Sequence, residues 1–480
     1  MQRSFSPVAR TATFISSFLA LGFSLASAAT WTGTITMYAQ NYTPNSTLPG
    51  ATKLQGLRQV ADAYEKLHPS VKIKFVDEQF SDYTQTVRTK SAAAELWDVF
   101  WAQYGDLNGV YPKGIATDLR SYFQQKNPYA PAAATWGRAM NATVLAEIAA
   151  PDGAIYNIDG DYVATTFYYN PALFKKAGIA KPPTSWNELV ADAKKLKAAG
   201  ITPATGVPVY SWYQRLFLSD FYSRQFAMLA GYDKLPGLSQ LDKVVAIKKG
   251  LLSTRDPRFM GWWPLVKTFT DSWSPDYFTL KPFSPSDNST QDFSGGKVGM
   301  IYFGSWIAPG LRQNKVNFST FNFPVIGKAA IPYSTGIDTS NQVGGPGGGY
   351  QFAMSTARSN ATLKQPGKFE AVLDWMRYLG SPKVNEQVVN DYGAFIPTLV
   401  GTMPARGAEA LSAQAKIPLR AVTIDTVGPQ LDDAMQRLFA QYLSGNLSLT
   451  DATTQVQQEL DLAVAAYEKT NGAVDISAYK

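Results

Sequence analysis

Cysteine is absent from the 480 residues and histidine occurs once. The first absence excludes disulfides, thiolate metal centres and cysteine nucleophiles together. The second leaves His68 with no companion for a metal site or a catalytic relay. His68 stands before Pro69, at the end of a stretch that places Leu57, Val60, Ala61, Tyr64 and Leu67 on one helical face, so an exposed helix-end residue is expected. Charge of one sign is also scarce. Lys and Arg number 44 against 37 Asp and Glu, a net +7, and basic runs stop at pairs such as Lys175-Lys176 and Lys194-Lys195. Such pairs suit helix C-termini and do not make a nucleic-acid surface, so no nucleic-acid partner is expected. Beyond the N-terminus no apolar run is long enough to cross a bilayer.

What is present starts with a leader pattern. Arg3 and Arg10 form a basic head, residues 14–25 an apolar centre, and Ala26-Ser27-Ala28 a small-residue cleavage site. This predicts an export signal over 1–28, whose removal near Ala29 brings the net charge to +5. The remainder is too long for one ordinary domain, and two are expected. With 45% hydrophobic residues it can bury a large core.

Strands and helices alternate from there. Residues 34–39, 71–76 and 98–101 read as strands, with the helix that ends at His68 between the first two. That order predicts a parallel sheet of βαβ units and an α/β fold. Residues 163–169 form a β-branched and aromatic strand that Pro171 ends. Ser185 and Glu188 have capping-box spacing ahead of a helix with Trp186, Leu189, Ala193 and Leu196 on one face, ended by Gly200. Residues 214–292 read as mostly helical with a loop at 256–263, and Thr450 is the expected cap of the last helix. The tract Gly344-Gly345-Pro346-Gly347-Gly348-Gly349-Tyr350 lacks the Lys-Ser/Thr of a phosphate loop and the final glycine of a dinucleotide fingerprint, so it reads as a hinge.

Several of these segments carry a resemblance. Tyr168-Tyr169-Asn170 runs into Leu173-Phe174-Lys175-Lys176-Ala177-Gly178, then Pro182-Pro183-Thr184-Ser185-Trp186-Asn187-Glu188-Leu189. Tyr64-Glu65-Lys66-Leu67-His68-Pro69, Trp97-Asp98-Val99-Phe100-Trp101, Gly295-Gly296-Lys297-Val298-Gly299-Met300, Gly304-Ser305-Trp306 and Gly393-Ala394-Phe395-Ile396-Pro397 follow in order. Together they resemble extracellular solute-binding protein family 1, the maltose-binding-protein-like sugar receptors of ABC importers. One departure is Leu96-Trp97 where the family usually has proline. The resemblance implies a two-lobed periplasmic-binding-protein type II fold with a ligand cleft between the lobes. Lobe one would hold 29–161 with 353–397, and lobe two 162–351 with 398–480. It further implies a monomer that hands a carbohydrate, an oligosaccharide, to membrane permease subunits, in the periplasm or secreted, with no cofactor, metal or catalytic residue. Many relatives are anchored by a lipid-modified cysteine, which this chain cannot use.

Sugar recognition needs aromatic faces for the C–H surfaces of the ring and amides or carboxylates for its hydroxyls. The chain is 13% aromatic with 11 Trp and 25 Tyr, and those beside turns are the useful subset. Trp306 follows Gly304-Ser305 at a strand end, where open α/β sheets bind ligands. Trp101 and Gln103, Gln40 and Asn41, and Gln79 and Phe80 end the earlier strands. Asp159 and Asp161 precede the crossing strand. Trp212 and Tyr213, and Trp263, lie in aromatic clusters assigned to turns, and Gly348, Gly349 and Tyr350 offer close backbone approach. Two other readings stand beside this one. A glycerol phosphate ester would need basic residues in the cleft, with Arg215, Arg224 and Lys297 available. A secreted glycan-active enzyme would need two carboxylates facing one bond, with Asp159 and Asp161 the nearest pair.

Overall fold

The computed structural model describes residues 31–48, 53–78, 80, 82–150, 152–206, 208–232, 237–273, 275–278, 288–405, 421–425 and 427–479. The leader expected over 1–28 and Gln79 lie outside these residues. The described strands are β1 (Gly33–Tyr38), β2 (Val71–Phe75), β3 (Val99–Trp101), β4 (Asn157–Asp159), β5 (Asp161–Tyr169), β6 (Thr202–Thr205), β7 (Val298–Gly304), β8 (Ser319–Phe321), β9 (Gly344–Pro346), β10 (Gln351–Met354) and β11 (Ile396–Pro397).

They form two sheets. The first has the order β2-β1-β3-β10-β4 and the second β11-β5-β7-β6, with β8 and β9 also on β5. Ile35 and Met37 of β1 alternate with more open neighbours, so one face of the first sheet is core. The helices Gly56–Leu67 and Lys368–Leu379 pack on that core. In the second sheet β5 runs through the middle and buries both faces, which is why residues 161–168 carry no polar alternation. Trp186, Phe217, Trp262 and Phe269 pack beside it, and the C-terminal helix Leu449–Asn471 joins the same core. The two-lobed α/β arrangement expected from sequence is present.

Several local expectations are corrected. The first sheet is mixed: β1 pairs in parallel with β2 and β3, but β10 runs antiparallel to both β3 and β4. β10 returns from the other lobe, and an entering strand need not obey the βαβ rule. The loop placed at 256–263 contains a helix, Pro257–Met260, capped by the Asp256 side chain. The last helix is capped by Ser448 rather than Thr450. His68 is half-buried, its Nε2 2.8 Å from the Tyr129 hydroxyl and 3.4 Å from an Asp374 oxygen. The capping box at Ser185 and Glu188 forms as its spacing requires. No helix among the described residues is long and apolar enough to cross a membrane.

Candidate ligand-binding cleft

The chain passes between the sheets at three places: Gly160 between β4 and β5, residues 347–350 between β9 and β10, and the segment entering β11. Asp161 ties two of them. Its carboxylate accepts hydrogen bonds from the Tyr42 hydroxyl at 2.7 Å and from the amides of Gly348, Gly349 and Tyr350 at 2.8, 2.9 and 3.0 Å. A β-carbon on Gly348 would lie 2.7 Å from an Asp161 oxygen, so only glycine lets the amides close on it. Burial raises the Asp161 carboxyl above its usual range, and the Tyr42 and amide hydrogen bonds oppose that shift.

In front of this tie, a cavity of about 580 Å³ separates the two sheets. Tyr38, Gln40, Asn41, Asp77 and Glu78 line one wall, and Trp306, Ile307 and Asn314 the other. Gln40 has φ of 49°, unusual for a residue with a side chain, and its Oε1 accepts the Asn41 amide. Trp306 leaves β7 through a short 3-10 turn. Its six-membered ring lies over Gly304, where a β-carbon would approach to 1.9 Å, and it meets Phe303 and Trp212 at ring distances of 5.6 and 6.1 Å.

Trp212 begins a row that runs on from Trp306. The helix Tyr210–Phe221 turns Tyr213, Gln214 and Phe217 into the core, while Trp212 and Arg215 share the half-open face, three residues apart. Arg215 pairs with Asp425, which also holds the buried Lys243 at 3.5 Å. Burial works against the Asp425 carboxylate, but Arg215 and Lys243 outweigh it and hold its pKa well below the usual range. Opposite this pair are Tyr104, at the start of the helix Tyr104–Gly109, and Glu147, on the helix Ala142–Ile148. Glu147 keeps solvent access yet is walled in by protein, and this desolvation raises its pKa against the pull of Arg215.

Asp159 lies at the back of this inner part. It is fully buried, and among the described residues neither carboxylate oxygen has a hydrogen-bond partner. The amides of Asp161 and Gly347 turn toward it without forming one. Burial and then the Asp161 charge push its pKa well above the usual carboxylate range. Asn157, two residues earlier on the same face of β4, reaches the Ala102 carbonyl, which places this face against the loop leading to Tyr104.

The structure thus brings Gln40, Asn41, Trp306 and Trp212 to one groove, with Trp101 half-buried at the end of β3 and Gln103 exposed beside it. It does not bring all the expected residues there. Tyr213 and Trp263 are core residues, because the segments assigned to turns are helical and Trp263 packs on Phe439 and Tyr442. Phe80 packs among Tyr38, Tyr83 and Trp97. Tyr350 is fully buried, its hydroxyl donating to the Leu379 carbonyl, and Asp161, Gly348 and Gly349 are committed to one another. Tyr104 and Glu147 were not among the expected ligand contacts, and Arg215 was expected in the cleft only under the phosphate-ester reading.

Among known proteins, the family described as bacterial extracellular solute-binding protein matches residues 50–253. The sn-glycerol-3-phosphate-binding periplasmic protein UgpB of Yersinia pseudotuberculosis serotype I (strain IP32953) is 25% identical over 220 residues, 45% of this chain and 43% of the relative. The chain therefore matches less than half the length of that curated relative. A family 1 extracellular solute-binding protein from Bifidobacterium longum subsp. infantis superposes with a TM-score of 0.57 at 19% identity, covering 90% of this chain and 99% of the other. The GacH receptor of Streptomyces glaucescens GLA.O, solved unliganded and with acarbose, gives 0.62 at 17% identity, covering 94% and 100%. These likenesses establish the two-lobed solute-binding fold.

Proposed function

We propose, from the premise that sequence pattern and fold are those of a family 1 extracellular solute-binding protein, that this chain is the receptor of an ABC importer and binds an oligosaccharide between its lobes. The observation that carries this is the groove itself. One wall offers the indole of Trp306, with Trp212 in ring contact with it, and the other offers amide and carboxylate groups at Gln40, Asn41 and Glu78. That is the pairing a pyranose ring asks for. The lobes follow the two sheets and rotate about the three crossings, and the closed form docks on the permease. The chain does no chemistry on its ligand: binding free energy shifts an open–closed equilibrium. Export with loss of the leader and a monomeric state belong to the same reading.

A phosphate ester is the competing ligand, because the UgpB relative's name specifies one. The described cleft argues against it: among the described residues no lysine or arginine lines the 580 Å³ cavity, and Arg215 is already paired with Asp425. Isothermal titration of the mature chain with malto-, cello-, xylo- and chito-oligosaccharides and with sn-glycerol 3-phosphate decides. Heat with an oligosaccharide alone is expected. Heat with the phosphate ester alone would overturn the reading.

A further inference from the structure

The Trp306 ring serves a ligand only if the turn beneath it keeps its place. Ser305–Ile307 forms a 3-10 turn, and Ala308–Gln313 continues it as a helix with no residue between. Turn and helix are therefore one piece. Ala308 and Leu311 hold this piece on the second sheet, against Tyr168 of β5 and Ile301 of β7. The next residue, Arg312, is exposed and lines no part of the described cavity. Its guanidinium nevertheless reaches across to the other lobe, where Nη1 donates to the Gly393 carbonyl at 3.2 Å.

Gly393 ends the helix Pro382–Tyr392, whose Val384, Val388 and Val389 belong to the core of the first sheet. The Gly393 amide closes the last turn on the Val389 carbonyl at 3.0 Å, with φ of 66°. A guanidinium at such a helix end meets both a carbonyl acceptor and the negative pole of the helix. The helix end is itself fixed. The Asp391 carboxylate accepts the amides of Gln55 and Gly56 at 2.8 and 2.7 Å, which ties it to the start of the helix Gly56–Leu67. A second contact joins the same two pieces. The Tyr392 hydroxyl points at the Trp306 carbonyl, 3.4 Å away, and the Tyr392 ring meets that of Tyr42, which holds Asp161.

We propose that Arg312 is a positioning residue for Trp306: it fastens the turn that carries the indole to the end of a helix on the first sheet, so that the place of the ring in the cleft is set from the opposite lobe. This rests on the saccharide reading above, which gives the indole its ligand, and Arg312 itself touches none of it. An exposed arginine that merely decorates the surface would contribute little, and its loss would leave the Trp306 ring where it is.

Fluorine NMR of the mature chain labelled with 5-fluorotryptophan tests the link without any ligand. Trp306→Phe identifies the Trp306 resonance, and Trp212→Phe that of its neighbour. Arg312→Met keeps an aliphatic stem and removes the charge and the donors. It should shift or broaden the Trp306 resonance, leave the other tryptophans except Trp212 in place, and hardly change the melting temperature. Arg312→Lys, which returns a charge to the helix end, should bring the Trp306 resonance part of the way back. In calorimetry with maltotetraose, cellotetraose, xylotetraose and chitotetraose, Arg312→Met should weaken whichever chain the parent binds by about fivefold, the scale of one lost hydrogen bond. A Trp306 resonance that keeps its place in Arg312→Met, or a bound chain whose affinity does not change, would overturn the positioning role and leave the saccharide reading intact. No heat from the parent with any of the four chains would overturn the saccharide reading, and the fluorine spectra alone would then decide the positioning role.

Discussion

Gly304 is the residue on which the position of Trp306 depends. Its φ of −75° is ordinary, so its value is purely steric: a methyl group there would occupy the space of the indole. Gly304→Ala should therefore weaken ligand binding without removing any ligand contact, by swinging the Trp306 ring. Trp306→Ala removes the contact itself and should lose about 1–3 kcal/mol of binding free energy, the usual cost of a buried aromatic anchor, with Trp306→Phe keeping part of it. Calorimetric affinity and melting temperature measured on all three variants check this. Full affinity in Trp306→Ala would take the indole out of the site. Asp425 gives a second residue-scale test. Its carboxyl titrates well below the unfolded value of about 4, so its stabilisation is fully present above about pH 5 and is lost as pH falls toward the folded pKa. Asp425→Asn leaves Arg215 and Lys243 facing each other and should cost about 3 kcal/mol at pH 7. The gap to the parent in denaturant midpoints should hold from pH 5 to 8 and narrow below pH 4. A gap that widens on acidification would contradict the pairing.

At the scale of an element, the helix Tyr210–Phe221 separates two roles within consecutive residues. Tyr213 is buried against Tyr302 and Phe439, and Trp212 beside it stands between Trp306 and Phe303. Tyr213→Ala should cost about 3 kcal/mol of stability, as large core truncations do, with affinity preserved in the folded fraction. Trp212→Ala should do the reverse. Urea unfolding and titration on the same two proteins check the pair, and identical phenotypes would mean that the face assignment is wrong. The helix Trp186–Ala198 gives a simpler case. Its capping box satisfies amide groups at both Ser185 and Glu188, so Ser185→Ala should lower stability by about 1 kcal/mol and leave binding unchanged.

For the whole molecule, the Asp161 tie joins the two sheets where the chain crosses between them. It binds the glycine tract entering the first sheet to the start of β5 in the second, and Tyr42 to both. Asp161→Asn replaces one acceptor oxygen by a donor facing amides already pointing inward, and should destabilise the hinge by about 1–3 kcal/mol. Ligand binding in the cleft should also raise stability by mass action, about 2.7 kcal/mol at a hundredfold excess over Kd. Solution scattering with saturating ligand should show a smaller radius of gyration in the parent. An unchanged radius with tight binding would exclude closure as the response to ligand.

The order of elements, the βαβ character of the first strands, the capping box and the hinge-like glycine tract were all legible in the chain, because each depends on residues within a few positions of one another. The place of Trp306 just past a strand end was legible for the same reason, its turn being formed with Gly304 and Ser305 beside it. The misplacements were aromatic. Tyr213 and Trp263 share local composition with Trp212, and only the packing of the helices on Phe439 and Tyr442 decides which ring is core. Asp161 likewise carries no sign in sequence that Tyr42 and three amides nearly two hundred residues away will use it up. The chain as a whole is basic at +7, yet Glu147, Asp159, Asp425 and Asp432 come from distant segments to one place. The amino-acid sequence determined the fold through local patterns, whereas burial and charge in the cleft are sums over residues far apart in the chain, and only the tertiary structure sets those distances.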